Sequence, residues 1–337
     1  MTTSTQPRIR LSETFGVRSM GQVGRDLRTI VRGSIARTRF QWDLRSAGLL
    51  RPRLALPAYV GLAAKDGLAP IYNLFDRAGG GRRFTQRVSR GSCRDFRGGR
   101  LTYDEHDGTD FVCPVGTPIV SAAPGVVVLV RDQWLRGGLT VGVDHGDGVL
   151  TQYTHCSRAV AAIGQPVRRG ETVALSGAAG YDLLQFFPWV PPHVHFMSWV
   201  DGAPVDPYLT PEETRRAGTW LEHNEPRPSG PSYGDAKRTD PSPVLPAALH
   251  RVAEACVDEG LQQEMDPVRQ NPAALAALLE DAMHHDRWAW PKDWQPEPLR
   301  PAREGKEPGV RFAMPLPGDQ YRGARFGDSA WSRPPRG

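Results

Sequence analysis

Between residues 117 and 177 apolar and β-branched residues recur in short runs punctuated by Gly and Pro, a pattern of strands and turns rather than of helices. The run Pro118-Ile119-Val120-Ser121-Ala122-Ala123-Pro124-Gly125-Val126-Val127-Val128-Leu129-Val130 reads as two strands broken by a Pro-Gly turn, with side chains that suit a pleated surface. Leu139 to Asp144 and Val149 to Thr154 read as a hairpin closed by His145-Gly146-Asp147-Gly148. Val167 to Gly177 supplies a further strand, turn, strand unit, and no helical period interrupts the series. The pattern predicts a mainly β core with helical, partly disordered N- and C-terminal flanks.

Upstream, Val23, Leu27, Val31 and Ile35 repeat every four residues while Arg25, Arg28, Arg32 and Arg39 occupy mostly other faces, which predicts an amphipathic basic helix. Packing on the core is the favoured reading over binding a membrane surface. Leu54 to Ala64 is apolar but falls short of the roughly 18–20 residues a membrane span needs, and Lys65 and Asp66 close it, so it reads as a buried helix or loop. The glycine-rich run Ala78 to Arg83 marks a boundary near residues 78–90. After Tyr208 the pattern changes again, and Glu222 to Pro246 has the composition of a linker. Two helices follow, one carrying Leu249, Val252, Ala253 and Cys256, the other opening with Asn271 as a cap and Pro272 at its first position. From Trp288 the chain is rich in Pro and carries Trp288, Trp290, Trp294 and Trp331, whose role composition leaves open. The expected division is therefore 1–90, a basic and partly helical region; 91–212, the β core; 213–246, a linker; and 247–337, a helical pair with a Pro/Trp-rich tail.

Composition changes this picture in three ways. A chain of 337 residues with 39% hydrophobic content has room for one to three domains and a sizeable core, whereas 36 Gly, 31 Pro and a mean hydropathy of −0.45 require long irregular segments. The net charge of +5 hides an asymmetry: residues 1–100 hold 20 Lys and Arg against 6 Asp and Glu. Such a basic arm beside an acidic core suits an anionic polymer or membrane surface, and no specific nucleic-acid motif accompanies it. Finally, Cys93, Cys113, Cys156 and Cys256 contain no Cys-x-x-Cys pair, which argues against a zinc ribbon or a disulfide framework. No secretory signal or transmembrane segment is visible, so localisation stays open.

The candidate chemistry lies between Glu105 and Pro207, which hold five of the nine histidines. They occur as His106-Asp107-Gly108-Thr109-Asp110, His145, Tyr153-Thr154-His155 and His193-Val194-His195-Phe196. In a strand His193 and His195 point to one face with α-carbons about 6.7 Å apart. His106 and Asp110 would be about 13 Å apart along a strand, too far to share an ion, so Asp107-Gly108 must turn. Two imidazoles and one carboxylate suit a catalytic zinc with an open position, and remaining histidines could accept a proton or stabilise an oxyanion. Spacing does not decide which histidine does which. His145 reads as a structural turn residue. His284-His285 reads as a solvated helix end without a partner at ligand spacing.

Together these segments resemble the lysostaphin/LytM-type zinc metallopeptidases, which cleave peptide cross-links in peptidoglycan. The likeness covers about residues 100–210 and extends to Gly116-Thr117-Pro118, Ala123, Gly125 and Val127, Val167, Gly170 and Glu171, and Gly202 with Pro204-Val205-Asp206-Pro207. It implies an open antiparallel, barrel-like sheet (a duplicated hybrid motif) with a groove. It also implies one Zn2+ per core held by His106, Asp110 and His195, with His193 activating water, His155 stabilising the oxyanion, and peptidoglycan or another peptide as substrate. Two departures are the aromatic stretch Tyr181 to Val190 and Met197-Ser198-Trp199, where an acidic residue more often follows the phenylalanine. A non-catalytic LytM-like scaffold that activates another wall hydrolase is the alternative, and the complete ligand set speaks against it. The strands around Gly125 and Gly170 also resemble biotinyl and lipoyl carriers, but no lysine lies between Lys65 and Lys237 to carry a cofactor.

Overall fold

The computed structural model describes residues 9–21, 23–24, 27, 40–41, 44–62, 66–77, 86–87, 95, 97, 99, 101–103, 106–134, 136–208, 219–220, 225–230, 240–302 and 310–326. Its centre is an eleven-stranded, almost wholly antiparallel sheet. In chain order the strands are β1 Leu68–Ile71, β2 Thr109–Val112, β3 Pro118–Val120, β4 Gly125–Gln133, β5 Gly138–Asp144, β6 Val149–Ala159, β7 Pro166–Val167, β8 Thr172–Ser176, β9 His193–Val200, β10 Ala203–Val205 and β11 Gly323–Phe326. They lie in the order β11, β1, β2, β9, β6, β5, β4, β7, with β10 on β9 and with β8 joining β3 to β6. The strands read from the sequence around the Pro-Gly turn, in the hairpin and in Val167 to Gly177 are all present, and within these three units only the two hairpin strands, β5 and β6, pair with each other.

Two strands come from outside the expected core. Residues 68–71 pair with β2 through Ile71 opposite Phe111, and residues 323–326 run parallel to them as the sheet's outer strand. Neither four-residue stretch carries a strand-length alternation, and Pro70 cannot donate to a ladder, so both needed partners already in place. The amphipathic helix expected through Val31 and Ile35 lies largely outside the described residues, as do the glycine-rich run, Cys93 and Trp331.

One sheet face packs around Phe111, Val141, Tyr153, Val194 and Phe196, closed by Trp220 and Phe312. The opposite face, at Val128, Leu150, Met197 and Trp199, is covered by helices α1 Pro246–Glu254, α2 Glu259–Met265 and α3 Pro272–His285. The third helix opens at the expected cap, the Asn271 side chain accepting from the Ala274 amide, and residues 273–282 are buried all round. Arg131 of β4 fastens these helices to the sheet through Glu264 at 2.6 Å, Asp281 at 2.6 Å and Asp286 at 2.8 Å. Arg300 then pins the following tail by pairing with Glu280 at 2.8 Å and Asp144 at 3.0 Å. Trp290 stacks on Trp294 and donates its indole N–H to the Val252 carbonyl, so the aromatic tail is part of this second core. Among the described residues no helix is long and apolar enough to cross a membrane.

Candidate metal centre

Strand β9 sits between β2 and β6, and its two-residue period divides its side chains. Val194, Phe196 and Val200 enter one core, while His193, His195, Met197 and Trp199 share the other face. The register places Asp110 of β2 and Thr154 of β6 opposite His195. Directly paired residues point to the same side, which brings the carboxylate under the imidazole: His195 Nδ1 lies 2.7 Å from Asp110 Oδ1.

His106 reaches the same oxygen because the chain turns before β2 begins. Its Nε2 is 3.2 Å from Asp110 Oδ1, against the separation of about 13 Å that a strand would impose. Gly108 permits that turn. A β-carbon there would sit 2.6 Å from the Phe196 carbonyl oxygen and 2.8 Å from the His195 ring, so only glycine lets the loop lie flat against β9.

His155 arrives by a different device. Strict alternation after Tyr153 and Thr154 would send it to the core side, but the β5–β6 register shifts between Leu139 and Val141, so that an extra residue is accommodated at Thr154 and His155. His155 takes φ 63°, a left-handed conformation that costs a β-carbon residue energy, and its ring turns to within 4.8 Å of the His193 ring, centroid to centroid. Five residues from three separated segments thus meet: Asp110, His155, His193 and His195 line one groove, whose walls include Tyr72, Tyr103, Arg136, Leu183, Phe186 and Val190, and His106 is buried beside Asp110.

The donor chemistry of these rings fits a cation. His106 Nδ1 faces the Leu74 carbonyl at 2.8 Å, His193 Nδ1 the Pro191 carbonyl at 2.8 Å and His155 Nδ1 the Ala179 carbonyl at 2.9 Å. A carbonyl only accepts, so each Nδ1 carries the proton, and in the neutral ring Nε2 presents a lone pair. His106 Nε2 and His193 Nε2 therefore aim lone pairs toward Asp110 Oδ1, at 3.2 and 3.6 Å. Acceptors converging on an acceptor require a positive charge between them. His106, Asp110 and His195 each offer one atom within 4.8 Å of the others and are buried, which is the ligand set and spacing that a tetrahedral zinc can use.

The electrostatics divide the histidines. Burial pushes His155 well below the ordinary histidine range, and it also lowers His193, although the Asp110 carboxylate opposes that. Burial acts the same way on His195, but hydrogen bonds to Asp107 and Asp110 outweigh it and push its pKa up to about 10. Burial would raise the Asp110 carboxyl, yet the charges and hydrogen bonds of the surrounding histidines hold it well below the usual carboxylate range. A proton on His195 Nδ1 thus stands where a metal would bind. Zinc titrated into chelator-treated protein at pH 7.5 should consequently release about one proton per ion from this residue, and affinity should rise with pH until His195 deprotonates near 10. Calorimetry in buffers of different ionisation enthalpy measures the release. Zinc uptake with no proton release would remove His195 Nδ1 from the ligand set.

Several contributors lay beyond sequence reasoning. Asn73 donates to Asp110 Oδ2 at 2.6 Å from a segment 37 residues upstream. Asp107, singled out only as part of a turn, accepts from His195 Nε2 at 3.1 Å. The reading of His284-His285 as a solvated end is corrected: His284 Nε2 lies 2.9 Å from Asp107 Oδ2, and both rings stand edge-on to Trp199. The signal was present in retrospect, since an apolar Trp199 on the histidine face requires cover from elsewhere in the chain. His145 is structural as expected, with its nitrogens at the Pro124 carbonyl and the Thr151 hydroxyl. In the aromatic stretch, Phe186 and Val190 are buried beside the groove, whereas Phe187 and Trp189 are 45% and 47% exposed.

An open antiparallel sheet that gathers two imidazoles and a carboxylate beneath a groove is an arrangement that could hold a metal ion. Residues 104–207 match the model of Peptidase family M23. A similar protein is the peptidoglycan DD-endopeptidase ShyA of Vibrio cholerae, 38% identical over 101 residues, which are 30% of this chain and 22% of that protein. Another is the DD-carboxypeptidase/endopeptidase Mpg of Neisseria meningitidis, 33% identical over 120 residues, 34% of this chain and 25% of that one. The chain therefore spans about a quarter or less of these relatives' length. Among solved structures, the catalytic domain of lysostaphin from Staphylococcus simulans is 29% identical, with a TM-score of 0.27, covering 31% of this chain and 76% of that one.

Proposed function

We propose that this protein is a zinc-dependent metalloendopeptidase that hydrolyses peptide bonds of peptidoglycan cross-links. The observation that carries the reading is the convergence of His106, His193, His195 and His155 around Asp110, with the acceptor atoms of His106 and His193 facing Asp110 Oδ1 and His195 Nδ1 2.7 Å from the same oxygen. The peptidoglycan DD-endopeptidase activity named for ShyA supports the substrate class. In this reading His106, Asp110 and His195 hold one Zn2+. The ion supplies a Lewis acid that polarises a carbonyl and acidifies water.

His193 would accept a proton from such a water at Nε2, since its Nδ1–H is committed to Pro191 and burial keeps the ring neutral. His155 is placed to hold the negative charge that develops on the carbonyl oxygen. Its Nδ1–H goes to Ala179, so it donates from Nε2 only as the charged ring; burial opposes that charge and the Asp110 carboxylate favours it. His155→Ala should retain zinc and lose on the order of 10² or more in turnover. Metal analysis alongside digestion of purified peptidoglycan, with mass analysis of the fragments, checks both halves. Loss of the metal in His155→Ala would make that residue a ligand, and no fragment release by the zinc-loaded wild type would overturn the endopeptidase reading. The basic N-terminal region is proposed to favour an anionic wall polymer or membrane surface.

A further inference from the structure

The last turn of α3 presents two adjacent imidazoles to a carboxylate that belongs to the loop of the first site. Asp107 uses Oδ1 for His195, and its Oδ2 faces His284 Nε2 at 2.9 Å and His285 Nδ1 at 3.8 Å. The second distance is too long for a hydrogen bond to that oxygen. Tetrahedral zinc with bonds of about 2.0–2.1 Å holds its ligand atoms about 3.3 Å apart, and the two separations bracket that value. All three ligand atoms lie within 4.8 Å of one another.

Three further features belong to a built site. The other nitrogen of His285 faces Asp281 Oδ1 at 3.4 Å, the carboxylate–histidine arrangement that orients a metal-binding ring. Asp281 is itself fixed, accepting from Arg131 at 2.6 Å, so the chain of support runs back to the sheet. Access exists too: Asp107, Asp281 and His285 line the same groove as the first site, and the side chains of Asp107, His284 and His285 are 12%, 27% and 13% exposed.

We propose that Asp107, His284 and His285 form a second divalent-cation site, suited to zinc, that ties the C-terminal helices to the His106–Asp110 loop. The ion replaces the hydrogen bond between His284 and Asp107, while Asp107 Oδ1 continues to accept from His195. One carboxylate then serves both centres, holding a ring of the first while ligating the second. The proposal goes beyond the endopeptidase reading and does not depend on its substrate.

The test is zinc stoichiometry of the 337-residue chain, stripped with a chelator, reloaded with Zn2+ alone and passed over a desalting column. Wild type should carry two equivalents, His284→Ala/His285→Ala one, and Asp110→Ala one. The His284→Gln/His285→Gln pair keeps side-chain bulk against Trp199 and a hydrogen-bonding group facing Asp107 and should also carry one, which separates ligation from packing. Two equivalents in the Gln pair, or a single wild-type equivalent that the Gln pair keeps, would overturn the second site. Retention of two equivalents by Asp110→Ala would instead strike at the first site and leave the second standing.

Discussion

Replacing Asp110 by alanine should abolish the zinc binding proposed for it with His106 and His195, and the proposed hydrolysis with it. Asp110 is the one anion of that set, and its Oδ1 is the point on which His195 Nδ1 at 2.7 Å, His106 Nε2 at 3.2 Å and His193 Nε2 at 3.6 Å converge. Without it two imidazoles would have to hold a dication in a buried site with no anionic ligand, Asp107 acting only through the His195 ring. Loss of a residue that merely supports a ligand weakens metal binding by about 10–100-fold, so removal of the charged ligand itself should exceed that range. Asn73 supplies the comparison, since it donates to Asp110 Oδ2 at 2.6 Å and is not itself one of the three ligands. Asn73→Ala should fall within the 10–100-fold window and keep measurable activity. Competition with a chelator of known affinity reads both variants. An Asp110→Ala protein that binds as many equivalents as wild type would assign the ion elsewhere.

The strands between residues 118 and 176 were legible because each is a β-branched run bounded by Pro or Gly, and a period of two survives whatever the chain packs against. The same arithmetic showed that His193 and His195 share a face and that Asp107-Gly108 must turn. It could not reveal His155, which alternation assigns to the wrong face and which a bulge with φ 63° returns to the groove. Nor could it reach contributors set by tertiary return. Asn73 approaches Asp110 because residues 68–71 enter the sheet, and His284 meets Asp107 across 177 residues because α3 covers Trp199. Adjacent histidines at a helix end carry no spacing signal, since their partner lies on a different element. The resemblance to the zinc peptidases stops near residue 210 and is silent about this cover.

That cover depends on Arg131, and Arg131→Met should cost about 3–5 kcal/mol of folding stability. The guanidinium leaves β4 and meets three carboxylates of the C-terminal region, Glu264, Asp281 and Asp286, at 2.6 to 2.8 Å. Asp281 and Asp286 are buried, so truncation of their shared partner leaves them without the charge that offsets their desolvation; Arg136, 3.0 Å from Asp286, relieves one of them in part. The consequence extends to chemistry, because Asp281 stands behind His285 and both border the groove. Arg131→Lys should recover little, since a single ammonium cannot direct separate N–H groups at three carboxylates as the planar fork does. Urea denaturation of the three proteins provides the comparison. A loss below about 1 kcal/mol in Arg131→Met, a value typical of exposed ion pairs, would mean that apolar packing of α3 on Trp199 and Met197 holds the helices unaided and that the charge network only sets their register.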